Sequence, residues 1–112
     1  MPSRIQSAPL RALLDAACAS GELILACGPD GVSVNLVGRF GVQRHGGEDR
    51  LDVDDGTHHV HLDWERITRV EACTHHGEGL LVFHGGGGPL FKLYRPEGEF
   101  PAEVVALAGA VR

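Results

Sequence analysis

Thr57-His58-His59-Val60-His61-Leu62-Asp63-Trp64-Glu65-Arg66-Ile67 holds three of the chain's seven histidines and its one tryptophan. With a period of two, His59 and His61 fall on one face of an extended segment. His58, Val60 and Leu62 fall on the other. A strand that buries Val60 and Leu62 therefore presents two imidazoles side by side. Asp54-Asp55-Gly56 before it has turn chemistry, and Asp63-Trp64-Glu65-Arg66 after it suits a turn or a single helical turn. A short strand between turns implies a sheet of many short strands, and the flanking sequence bears this out.

Downstream, Ile67–Cys73 reads as a strand and His75-His76-Gly77-Glu78-Gly79 as its turn. Leu80–Phe83 is apolar throughout, as expected of a central strand. Gly85–Gly88, four consecutive glycines, reads as a hairpin tip, and Leu90–Tyr94 as the last strand. The glycines lack the lysine and following helix of a phosphate-binding P-loop. Upstream, Glu22–Cys27 and Val32–Val37 flank the turn Gly28-Pro29-Asp30-Gly31, which makes a hairpin. Val32, Val34 and Leu36 alternate with polar residues, predicting a half-buried strand. Gly38 interrupts as a bulge or turn, and Arg39–His45 continues extended. His45–Asp49 reads as a loop before a short strand holding Leu51 and Val53.

Helices are expected at the two ends. Ser7 and Pro9 suit a helix start, and Leu10, Leu13, Leu14 and Ala17 form one apolar stripe that stops at Gly21. Ala102–Val111 carries Val104, Val105, Leu107, Ala108 and Val111 at helical spacing. The expected fold class is α+β: an antiparallel β-sheet meander with N- and C-terminal helices packed on one face.

A chain of 112 residues is expected to form one domain, residues 1–112. Residues 48–65 carry seven acids against Arg50 alone, within a net charge of −5. Without clustered Lys and Arg, no nucleic-acid surface is expected. No stretch is long and apolar enough for membrane insertion, and the start of the chain has no secretion-signal pattern. Three widely spaced cysteines without C-x-x-C suggest buried thiols in a reducing, cytoplasmic setting.

Three segments in order resemble haem-utilisation proteins of the HemS/ChuX type, bacterial haemin-degrading factors and haem-trafficking carriers. They are LILACGPDGVSVNLVG (residues 23–38), HHVHLDWERITRV (residues 58–70) and LLVFHGGGGPLFKLYRPEGEFP (residues 80–101). The resemblance implies a haem iron utilisation protein-like fold, a cytoplasmic homodimer, and haem as cofactor and cargo. Carriage or storage of haem is expected ahead of its degradation, and no nucleophile stands beside an obvious base for other catalysis. Family members place histidine on the iron and basic or tyrosine groups at the propionates. The candidates here are His59, His61, His75 and His76 for iron, with Arg39, Lys92, Tyr94 and Arg95 for the ligand's other contacts. Arg66 and Arg69 are further carboxylate partners. Two other readings stand beside haem. His59 and His61, with His45 or His84, could hold Zn²⁺ or Fe²⁺ in a small β-domain, or the fold could be a haem-less interaction module. His84 suits a hydrogen-bonded structural role, and Trp64 suits a core anchor more than a stacking platform.

Overall fold

A computed structural model of the chain describes residues 2–45 and 48–111, without the side chains of residues 2–8, 44, 45, 48 and 49. The elements run α1 (Pro2–Ala19), β1 (Leu23–Cys27), β2 (Val34–Gly38), β3 (Phe40–His45), β4 (Glu48–Val53) and β5 (His59–His61). A 3-10 turn (Trp64–Arg66), β6 (Arg69–His75), β7 (Glu78–Gly85), β8 (Gly88–Arg95) and α2 (Ala102–Gly109) complete them. The α+β antiparallel class with terminal helices stands. The strands divide into a five-stranded sheet, ordered β2-β1-β8-β7-β6, and a three-stranded sheet, β3-β4-β5. The last strand returns to pair with the first, Leu25 opposite Leu93.

The core lies where the two sheets and the helices face one another. The α1 stripe Leu10, Leu13, Leu14 and Ala17 is buried with Leu23, Leu25, Phe40, Leu51, Phe83, Leu93, Val104 and Ala108. Burying each leucine side chain is worth roughly 1.5–3 kcal/mol. Phe83 stacks on Phe91 with ring centroids 4.3 Å apart, joining the two central strands.

Four expectations are corrected. Helix α1 opens at Pro2, so Ser7 and Pro9 lie inside it. Pro2 itself meets the first-turn preference for proline, and Pro9 forgoes one internal hydrogen bond. The inward face expected of the second strand is covered only at Leu36, which packs against the core, while Val32 is 57% exposed and Val34 51%. Strand β2 is a sheet edge, and alternation in sequence cannot tell a covered face from an uncovered one. The cysteines are all free, but only Cys18 is partly buried; Cys27 and Cys73 are exposed. The expected loop at His45–Asp49 is narrower, because His45 pairs with Glu48. Its tip, Gly46-Gly47, lies outside the described residues.

Two turns fix the positions of candidate residues. His75 pairs with Glu78 across a two-residue turn. Both turn residues, His76 and Gly77, have positive φ, 51° and 82°. That is the geometry whose twist matches a β-hairpin, and histidine is among the residues that tolerate it. Gly85 pairs with Gly88 in the same way, leaving Gly86-Gly87 as the tip of the next hairpin.

Candidate functional site

Among the described residues β5 pairs only with β4, at the edge of the smaller sheet, and its Val60 and His61 line a space shared with β1 and β8 of the larger sheet. That space is a cleft of about 270 Å³. Its walls are Leu25 and Cys27 at the end of β1, Leu90 and Phe91 at the start of β8, and Val60–Asp63, Arg66 and Ile67 across from them. Hydrophobic side chains dominate, and an imidazole, a guanidinium, a carboxylate and a thiol are its polar groups. The cleft exists because β5 is only three residues long and the chain leaves it at once for the 3-10 turn.

His59 and His61 do share a face, with ring centroids 5.0 Å apart and near-perpendicular planes. His61 lines the cleft and His59 lies beside it; both are exposed. Their neighbour His58 is engaged elsewhere. Its backbone N–H donates to Asp55 Oδ1 at 2.9 Å, as does that of Thr57 at 2.8 Å. Its ring Nδ1 meets Asp55 Oδ2. The amides of His58 and Thr57, with the His58 ring, hold the Asp55 carboxyl down at about 2.

A second grouping forms on the larger sheet. His75 and His76 have ring centroids 4.2 Å apart, and His75 lies 6.1 Å from Tyr94. Tyr94 and Lys92 line a shallow depression of about 180 Å³ with Val32, Ser33 and Leu90. His84 also belongs to the larger sheet, where its Nε2 is 3.1 Å from Glu71 Oε1, the structural role expected of it.

Arg39 and Arg95 join neither grouping. Arg39 is exposed at the β2–β3 junction. Arg95 is committed to the fold. Its Nε and Nη2 donate to the Ser20 carbonyl at 3.2 and 3.0 Å, and its Nη1 donates to the Glu99 carbonyl at 3.2 Å. It thus ties β8 to the end of α1 and to the connector before α2.

Among the described residues, no group of three or more His, Cys, Asp or Glu side chains gathers to hold an ion. His84 is on the other sheet from His59 and His61, and the His45 side chain is outside the described residues. Trp64 packs against the core, though its indole N–H is buried without a partner among the described residues.

Sequence reasoning did not mark Cys27, Asp63, Leu90 or Phe91 as site residues, and placed Arg66 only among general cations. The missing signal is long-range: the pairing of β1 with β8 brings Leu25, Cys27 and Phe91 together.

No protein-family model and no curated protein matches this sequence. Solved structures do resemble it. A crystal structure of ChuX aligns with a TM-score of 0.59 at 15% identity, over 88% of this chain and 66% of that one. A structure of "the heme binding protein ChuX" aligns at 0.58 and 15%, over 86% and 65%. A protein from Erwinia carotovora aligns at 0.63 and 14%, over 92% and 71%. The chain therefore has a ChuX-like fold and spans about two thirds of the length of the ChuX chains.

Proposed function

We propose that this chain binds haem in the cleft between its two sheets, with His61 as the iron ligand, and that it carries or stores haem as a cytoplasmic homodimer. The observation that carries the reading is the cleft itself: mainly apolar walls from Leu25, Val60, Leu62, Ile67, Leu90 and Phe91, with the His61 imidazole among its few polar groups. A tetrapyrrole asks for this combination of apolar contact and a neutral nitrogen donor. That one neighbour in fold is named a heme binding protein supports the same reading. Haem, when bound, would supply the redox-active iron. The chain's residues would supply burial and the ligand.

At about 270 Å³ the cleft falls just under the ~300–1,000 Å³ range of ligand-sized pockets, so it would enclose part of the ring and leave the rest at its mouth. The dimer reading rests on β2, an edge strand with no charged residue, whose Val34 and Val37 are exposed. Such an edge lacks the devices that normally block pairing. The cytoplasmic reading rests on the cysteine pattern; among the described residues, no helix is long and apolar enough to span a membrane.

Haemin titration of the purified chain tests the proposal. A saturable Soret shift at one haem per chain or per dimer is expected, and its absence would remove haem from consideration. Sizing chromatography tests the dimer: Val34→Lys should shift it to monomer, and an unchanged elution would move the interface elsewhere.

A further inference from the structure

The hairpin between β6 and β7 carries two imidazoles that the haem reading leaves unused. His75 and His76 are both exposed, with ring centroids 4.2 Å apart. Elsewhere histidine rings are taken up by carboxylates, His58 by Asp55 and His84 by Glu71. Among the described residues, the His75 and His76 rings have no hydrogen bond or ion pair. Each neutral ring therefore keeps a lone pair for a ligand.

His76 also holds its place at a cost. Its φ of 51° lies in the left-handed region, and it is the one non-glycine residue there among those described. Glycine would adopt that backbone freely. Strain kept where glycine would relieve it points to a use for the side chain. The ring spacing then selects a coordination geometry. A metal–nitrogen bond of roughly 2.0 Å, plus about 1.1 Å from nitrogen to ring centre, sets two imidazoles roughly 4.4 Å apart at a right angle and roughly 5.1 Å apart at the tetrahedral angle. The observed 4.2 Å lies near the first. Cu²⁺ prefers tetragonal geometry and binds nitrogen sites most tightly of the first-row divalent ions.

We infer that His75 and His76 form a two-imidazole chelate for a tetragonal divalent cation, Cu²⁺ foremost, at the β6–β7 hairpin. Water completes the coordination, because among the described residues no third His, Cys, Asp or Glu closes on the pair. Neither histidine lines the apolar cleft, so the site is independent of the haem reading.

Cu²⁺ titration of the metal-free chain, with free glycine as competitor, tests the inference by calorimetry and electron paramagnetic resonance. One saturable equivalent per chain is expected, with an axial spectrum split by two imidazole nitrogens. His75→Ala/His76→Ala should lose at least roughly tenfold in affinity. His76→Gly should lose as much while its Tm holds or rises, since glycine relieves the strained φ. A histidine serving only the turn would leave Cu²⁺ binding intact in that variant. The other close pair, His59 and His61 at 5.0 Å, supplies the control: its double alanine variant should keep the first equivalent. Three results would each overturn the inference: wild-type Cu²⁺ affinity in either hairpin variant, loss of the first equivalent with His59 and His61, or no saturable equivalent at all. None of them bears on haemin, which the hairpin variants should bind as the wild type does.

Discussion

The cleft between the sheets and the outer face of the larger sheet each bring two histidines together, at ring separations of 5.0 and 4.2 Å. Their surroundings differ. His61 borders a slot walled by Leu25, Leu62, Leu90 and Phe91. His75 and His76 sit at a hairpin tip, exposed, with Tyr94 as their aromatic neighbour. His76 is moreover one of the two residues that make the turn. All of these imidazoles, His61 included, are exposed to water, so the difference lies in the apolar walls beside His61, which can hold a hydrophobic ring. The pair that matters is therefore set by what lies around it, not by how closely the histidines are spaced in sequence.

The largest effect should come from the floor that both regions share. Phe83 is fully buried and stacks on Phe91, a wall of the cleft. Phe83→Ala should cost about 3–5 kcal/mol, read by chemical denaturation, and collapse both regions together. Loss of haem binding with an unchanged denaturation midpoint would separate cleft from core and break the comparison.

Arg95→Ala should cost less, about 1–3 kcal/mol, by leaving carbonyls of Ser20 and Glu99 without their charged donor. Its mark should be a lower Tm with an unaltered haemin spectrum below the transition. A changed Soret position at full folding would instead place this guanidinium near the ligand.

Thiol labelling probes the surfaces themselves. Burial, with Asp15 adding to it, pushes the Cys18 thiol up to about 12, so it should react slowly at neutral pH. Cys27, which lines both the cleft and the Lys92–Tyr94 depression, and Cys73, on β6, should react fast. Haemin should protect Cys27 and leave Cys73 reactive; equal protection of both would contradict the cleft assignment.

The smallest effect concerns the turn that leads into β5. The Asp55 carboxyl is held at about 2 in the fold against an ordinary 3.8. A depressed carboxylate stabilises the fold above its unfolded-state value, and that contribution fades as pH falls from about 4 towards 2. Asp55→Asn should flatten the pH dependence across that window, lowering thermal stability slightly at neutral pH and converging on the wild type near pH 2. A wild-type slope retained by the variant would assign the acid dependence to other carboxylates.

Much of the fold could be read from residue patterns, because local chemistry and tertiary structure agree there. The α1 stripe, the apolar β7 run and the turns at Gly28–Gly31, Asp54–Gly56 and Gly85–Gly88 all lie where their residue types place them. The division into two sheets could not be read, since it depends on β8 returning to β1 across most of the chain. For the same reason the candidate histidines could be named but not ranked. Nothing local distinguishes His61 from His75; only the distant Leu25 and Phe91 do. Arg95 illustrates the converse, a cation that suits a ligand in sequence and is taken up by backbone carbonyls in the fold.

The most direct test is haemin titration of two variants side by side, His61→Ala and the double variant His75→Ala/His76→Ala, each checked for folding by circular dichroism. The account predicts that His61→Ala loses the ligand-field signature and at least roughly tenfold in affinity, about 1.4 kcal/mol, while the double variant titrates like the wild type. A wild-type Soret titration from His61→Ala, with loss in the double variant, would move the site to the outer face and contradict the account.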